Sequence, residues 1–403
     1  MKKLLLPLLA LSFNAYSALT FPTSITVTGI SSTYSLAAAE TNRVAIQNAI
    51  DSCTDILGCT VRIIDKDAYV SAAPETCNNS ALRGVAGRSN IRISLERSYL
   101  KVFPNHCQSY SIFRFWGVHD SELRGNGTSA IIGDKMLHGY SDDGQPCSAA
   151  GATHECGNLV SVTESQNIVI SDITLTQATG DGLYIGGNNS LTNNVVVNYV
   201  KSNNNRRQGI SIISGSNITV EKNWFTNTGA GGIQPQSFIP PGLGMDIEVD
   251  KCEQRVTNLK VRYNYFGGNV GGGIKAYSPV CPNDRNITTD DVYQNVLIAH
   301  NTINEYTKTF AFSNAMNIVA EFNNIATSTG DAIVFVGAAD NIFRHNTVEK
   351  VGAFTGYFAS VGTSRPNIGN LLQNNNYINF GSGVIWPTNT PLTQVDVVGN
   401  DAN

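Results

Sequence analysis

Asn217-ITVEK-Asn223-WF, Asn258-LKVRY-Asn264-YF and Asn295-VLIAH-Asn301-TI are versions of one phrase: a polar opening residue, alternating apolar residues, then an asparagine six places on. The phrase returns as Asn194-VVVNYV, Asn317-IVAEF-Asn323-NI, Asp340-NIFRH-Asn346-TV and Asn370-LLQNN-Asn376-YI. Alternation with a period of two is the mark of a strand, and a fixed longer period is the mark of stacked coils. The opening residues are separated by 23, 41, 37, 22, 23 and 30 positions, so the basic coil is about 22 to 24 residues with insertions in some turns. Leucine-rich repeats close on a similar phrase, but here the apolar positions are Val, Ile, Tyr and Phe, and no L-x-x-L element precedes them. The pattern predicts an all-β chain, a right-handed parallel β-helix with an N-terminal capping helix.

Length and composition agree with a solenoid. The chain has 403 residues, yet a solenoid grows by adding coils and stays one domain. Residues 1–17 (MKKLLLPLLALSFNAYS) read as a secretory signal peptide, with Lys2 and Lys3 before an apolar run and Ala15 and Ser17 placed for cleavage. Residues 18–403 are expected to form one β-helix domain. Only 14% of residues are charged, against about 25% in an average domain, as suits coils whose side chains stack on their own kind. The net charge of -4 and the lack of any basic run argue against nucleic acid, and no later segment is apolar enough for a membrane helix. A monomer, secreted or periplasmic, is expected. Eight cysteines suit an oxidising compartment, and sequence locality suggests pairing Cys53 with Cys59, Cys77 with Cys107, Cys147 with Cys156, and Cys252 with Cys281.

Other segments have distinct roles. ETNRVAIQNAIDSC (40–53) puts Val44, Ala45, Ala49 and Ile50 on one helical face and is expected to cover the open first coil. TVRIIDKDAYV and NIRISLERSYLKVF alternate as the first strands. Residues 137–157 read as a loop containing His138, Tyr140, Asp142, Asp143, His154 and Glu155, a metal site or simply a disulfide-bounded surface segment. Two excursions, 226–243 and 279–291, leave the coil beside the same strand face and could wall a groove.

Over about residues 40 to 380 the chain resembles the pectate-lyase-like superfamily of right-handed parallel β-helix proteins. The resemblance implies a secreted protein that acts on polysaccharide as a hydrolase, lyase or epimerase, or that binds it as tailspikes do. GDG at 180–182, RQG at 207–209 and GIK at 273–275 loosely resemble polygalacturonase motifs, without their second aspartate, histidine and arginine. Glu248 and Asp250 form an E-x-D like that of iota-carrageenases, and the Asp-Pro-His of alginate epimerases is absent.

The candidate site follows from alternation. Leu183, Ile185, Ile210, Ile212, Met245, Ile247, Ile274 and Ala276 should point inward. Tyr184, Ser211, Asp246, Glu248, Lys275 and Tyr277 then face outward on one sheet, with Asp181, Arg206, Arg207 and Gln208 opening neighbouring strands. Asp246 and Glu248 are about 6.6 Å apart along the strand and Asp181 lies two coils away, about 9.6 Å, spacings usable by an inverting glycosidase. In the hydrolase reading Asp246, Glu248 and Asp181 share the acid and base roles. Arg206, Arg207, Gln208, Tyr184, Tyr277 and Lys275 would then hold an anionic sugar. In the lyase reading Lys275 or Arg207 is the base, and Asp181, Asp246, Glu248 and Asp250 hold Ca²⁺. No cofactor is otherwise implied, and a non-catalytic carbohydrate-binding protein is the third reading.

Overall fold

The computed structural model describes residues 19–55, 57–72, 84–105, 110–138, 157–187, 192–230, 240–279, 292–305, 308–327, 331–351, 359–362, 369–379, 395–399 and 401–402. Three parallel sheets of 15, 12 and 10 strands run the length of a right-handed β-helix. Each coil visits them in turn, as where Asn193–Asn198 in the first sheet leads to Lys201–Asn203 in the second and Ile210–Ile212 in the third. Every strand pairs with its equivalents one coil before and after, so like positions stack in columns, as Val195↔Ile218 and Leu183↔Ile210 do. Inward columns of Val, Ile, Leu and Phe form a continuous buried core.

Both ends of the repeated phrase make ladders. The opening residues Asn194, Asn217, Asn258, Asn295, Asn317 and Asp340 have φ of 52° to 56°, a left-handed conformation that Asn and Asp tolerate better than other residues with a Cβ. Their amides reach from coil to coil, as from Asn258 Nδ2 to Asn217 Oδ1 and from Asn295 Nδ2 to Asn258 Oδ1, both 3.0 Å. The closing asparagines turn inward and are buried. Asn264 Nδ2 donates to Asn301 Oδ1 and Asn301 Nδ2 to Asn323 Oδ1, each at 3.0 Å, and the series continues to Asn346 and Asn375. This satisfies amides that burial would otherwise penalise.

Three expectations need correction. In the last repeat the left-handed opening residue is Gly369 and the buried closing asparagine is Asn375, one place earlier than Asn370 and Asn376. Asn370 is instead buried and accepts from Asn341 Nδ2 at 2.9 Å, in a separate short ladder. The capping helix runs Leu36–Asp51, earlier than expected, because the Ser35 hydroxyl caps it by accepting from the Ala38 amide. Its buried face is Ala39, Asn42, Ile46 and Ile50, while Val44 is exposed and Ala45 and Ala49 are only partly covered. Asn42 is on that face because its amide caps backbone oxygens of Ser31 and Tyr69 at the end of the helix of strands. A strand at Thr23–Thr26 precedes the expected first one.

Cys53 and Cys59 form a disulfide, and Cys252 is disulfide-bonded. Cys77, Cys107, Cys147, Cys156 and Cys281 lie outside the described residues, as do residues 1–17. No described helix is long and apolar enough to cross a membrane.

Candidate functional site

The third sheet carries the site. Tyr184, Ser211, Asp246 and Lys275 are direct register partners on successive strands, Leu183–Gly186, Ile210–Ile212, Leu243–Glu248 and Gly272–Tyr277. Glu248 stands opposite Tyr277 in the next outward column. The inward neighbours Leu183, Ile185, Ile210, Ile212, Met245, Ile247, Ile274 and Ala276 are all buried.

Four glycines line the start of these strands: Gly182 and Gly209 just before theirs, Gly244 and Gly273 at the second position of theirs. A Cβ at Gly209 would strike the Gly244 carbonyl and the Phe225 ring, and one at Gly244 would strike Phe266 and the Asn269 amide. These positions have no room for a side chain, and Asp181 and Gln208 directly precede two of them.

Asp181 is buried and held three ways. Arg207 Nη1 donates to its two oxygens at 3.2 and 3.0 Å, and Ser211 Oγ donates to Oδ2 at 2.7 Å. Its own amide donates to Asn158 Oδ1. Arg207 Nη2 also reaches Glu248 Oε2 at 3.5 Å, so one guanidinium bridges carboxylates two coils apart.

Asp246 has no exposed side-chain surface, whereas the Glu248 and Lys275 side chains keep 20% and 23% of theirs. The Gln208 amide donates to Asp246 Oδ2 at 2.8 Å, and its carbonyl accepts from the Leu243 amide at 2.8 Å. Asp246 Oδ1 meets no hydrogen-bond donor, and Lys275 Nζ is 3.9 Å away. Glu248 lies two residues on along the same strand. Burial, helped by the Glu248 charge and opposed by Lys275 and Arg207, pushes the Asp246 carboxyl well above the usual carboxylate range. Lys275 Nζ is 3.7 Å from Glu248 Oε1 and 4.9 Å from the centre of the Tyr277 ring. Behind the strand, the buried Tyr293 hydroxyl donates to the carbonyls of Ile247, between Asp246 and Glu248, and of Tyr277 on the next strand.

The structure thus brings together Asp181, Arg207, Gln208, Asp246, Glu248, Lys275 and Tyr277, with Tyr184 two coils from Asp246 in the same column. It separates two other expected residues. Arg206 is buried beneath the turn, donating to the Thr179 carbonyl at 3.2 Å, so it does not face the groove. Asp250 lies beyond the strand end, exposed, with its amide donating to Gln254 Oε1.

The donor set does not suit Ca²⁺. Asp181 spends its oxygens on Arg207 and Ser211, Asp246 Oδ2 accepts from Gln208, and two side-chain cations already sit among these carboxyls. Among the described residues no three acidic, His or Cys side chains converge as metal ligands. His138, the one described residue of the 138–155 cluster, is buried, with its ring nitrogens on the backbone of Asn105 and Gly133.

Ser211, Asn158 and Tyr293 belong to the site's supports and were not assigned roles from sequence. Ser211 had a signal, its place in the outward column. Tyr293 had none, because it lies beyond an excursion that hides its register.

Comparison with known proteins bears on the fold. The profile of a family described as "Right handed beta helix region" matches residues 146–237. An uncharacterized protein of Bacillus subtilis (strain 168), YclG, is 26% identical over 207 residues, 48% of this chain and 33% of that protein. The chain therefore matches only about a third of the length of that curated relative. Among solved structures, a hyperthermoactive exopolygalacturonase from Thermotoga maritima superposes with a TM-score of 0.61 at 11% identity, over 95% of this chain and 93% of that one. The A-module of an Azotobacter vinelandii mannuronan C-5 epimerase gives 0.57 at 14%, over 90% and 95%. A tailspike protein of the E. coli bacteriophage HK620 gives 0.60 at 12%, over 90% and 63%. Likeness at such identities is likeness of fold, and with its three parallel sheets this chain is a right-handed parallel β-helix protein of the pectate-lyase-like fold.

Proposed function

We propose that the protein hydrolyses glycosidic bonds in an acidic polysaccharide, with Asp246 and Glu248 sharing one catalytic proton. What supports this reading is a fully buried Asp246 two residues from a Glu248 that reaches the surface, with Lys275 Nζ 3.9 and 3.7 Å from the two carboxyls and burial raising the pKa of the Asp246 carboxyl. Paired carboxyls that cannot both ionise are a general device for keeping one acid protonated at neutral pH.

Glu248 is the member that touches substrate, and Asp246 is the positioning residue that holds the proton against it. The proton passes through Glu248 to the glycosidic oxygen as the bond to the anomeric carbon breaks, and the leaving oxygen keeps the electron pair. The negative charge left on the carboxyls falls 3.5 Å from Arg207 and 3.7 Å from Lys275. Water adds to the anomeric carbon and returns a proton to the pair.

Both candidate bases for elimination are engaged as cations. Arg207 is ion-paired to Asp181, and Lys275 would have to release a proton while lying beside two carboxyls. An acidic substrate suits Lys275 and the Tyr184 and Tyr277 rings along the face. The polygalacturonase and mannuronan epimerase that share the fold carry acidic polysaccharides in their names. Reading residues 1–17 as a leader, with disulfides after it, adds export and action outside the cytoplasm as a monomer.

The test is to incubate the protein with alginate, polygalacturonate, carrageenan and chondroitin, following reducing ends together with ultraviolet absorbance of unsaturated uronates. Reducing ends without absorbance, abolished in Glu248→Gln, are expected. Rising absorbance would replace this reading with elimination, and no product from any polymer would leave binding alone.

A further inference from the structure

Trp116 and Arg114 lie far along the same sheet face and are not part of the carboxyl site. The strand Ser111–Trp116 pairs with Asn158–Thr163, placing Trp116 opposite Thr163 and Arg114 opposite Ser161. Thr163 stands opposite Gly186 and Ser161 opposite Tyr184. Following the register through Ile185, Ile212 and Ile247 puts Trp116 in the column of Glu248 and Arg114 in the column of Asp246. Four strand spacings separate each pair, about 19 Å.

The two side chains are unusual for this protein. Trp116 is 55% exposed, although its indole N–H is fixed on Glu164 Oε2 at 3.2 Å. Arg114 lies over the indole, 5.3 Å from the ring centre, and among the described residues its guanidinium makes no hydrogen bond or ion pair, unlike the stacked Arg–Glu pairs elsewhere on the surface. Partial burial without a carboxylate lowers its pKa from the ordinary arginine value. An exposed, fixed aromatic ring beside an unpaired guanidinium offers an apolar sugar face a surface and a carboxylate or sulfate a counter-ion.

We propose that Arg114 and Trp116 form a remote subsite for an acidic sugar, four strands from Glu248 on one continuous binding face. The proposal rests on the acidic polysaccharide named above and deepens it: the chain binds as an extended polymer whose charge is read at a distance from the bond that breaks. Binding energy at that distance retains long substrates and leaves short ones indifferent.

The experiment uses the full chain carrying Glu248→Gln, so that polymer is bound without being cut, in native gels containing alginate, polygalacturonate or neutral dextran. Retardation by an acidic polymer and not by dextran is expected. Arg114→Gln should weaken it about tenfold, the loss expected of one charge-assisted hydrogen bond, and Trp116→Ala by a similar factor. Arg114→Lys and Trp116→Phe should restore part of it, which a folding defect would not. In the Glu248 background of the native sequence, the same variants should lower cleavage of long polymer and leave cleavage of a disaccharide unchanged.

Retardation of Arg114→Gln and Trp116→Ala equal to their parent overturns the subsite while leaving hydrolysis at Glu248 untouched. Retardation by dextran alone, or by no acidic polymer, overturns it as well. Loss of cleavage in Glu248→Gln with retardation intact separates the two proposals.

Discussion

Asp246→Asn removes the shared proton while disturbing little else. The new carbonyl can accept from Gln208 Nε2 as Asp246 Oδ2 does at 2.8 Å. The packing is retained because the two side chains have nearly the same shape. An amide cannot hand its proton on, so catalysis should lose the general-acid contribution, about 10²- to 10⁴-fold in kcat, or about 3 to 5 kcal/mol of barrier. Stability should move the other way. Asp246 has a raised carboxyl pKa in the folded protein, so the wild type loses stability as pH rises above the ordinary carboxylate range toward that raised value. The Asn variant has no such loss and should melt above the wild type at pH 8, with a smaller gap at pH 5. Rates of reducing-end release and thermal melts at the two pH values read both effects. An unchanged kcat would refute the shared proton, and a variant less stable at every pH would refute the account of Asp246 as a neutral acid.

Glu305 makes a second titration prediction: burial raises its pKa from 4.5 to about 7 against the pull of two hydrogen bonds from Asn269. It therefore favours the fold less as pH rises from the unfolded value through about 7, a change of at most about 3 kcal/mol. Glu305→Gln should flatten that part of the stability curve in urea titrations at pH 5 and pH 8, and an unaltered pH slope would count against it. Asn301→Ala removes four ladder hydrogen bonds, to Asn264 (two), Val261 and Asn323, in a fully buried place. At about 1 kcal/mol each the fold should lose about 4 kcal/mol, and a urea midpoint within error of wild type would show that the ladder is not a source of stability.

Sequence carried the fold because each outward and inward ladder is written as an asparagine at a fixed place in the phrase. It misplaced the last repeat because Asn370, Asn374, Asn375 and Asn376 all suit the pattern, and only the hydrogen bond from Asn346 marks Asn375 as the ladder residue. The outward columns of the site were equally legible, since alternation along Leu243–Glu248 and Gly272–Tyr277 holds without interruption. Contacts across the bends were not. Arg206 and Arg207 are adjacent in sequence, yet one turns under the sheet to Thr179 and the other binds Asp181, and no periodicity governs a turn.

The glycines at 182, 209, 244 and 273 have an evolutionary consequence. A Cβ at any of them would meet backbone or packed side chains, so the path that delivers Asp181, Gln208 and the neighbouring strands cannot be adjusted by small mutations. Tolerance lies instead in the segments joining one rung to the next, where extra length changes no strand register. A lineage built on this plan can acquire new substrates by exchanging the rims of its groove while inheriting the floor unchanged.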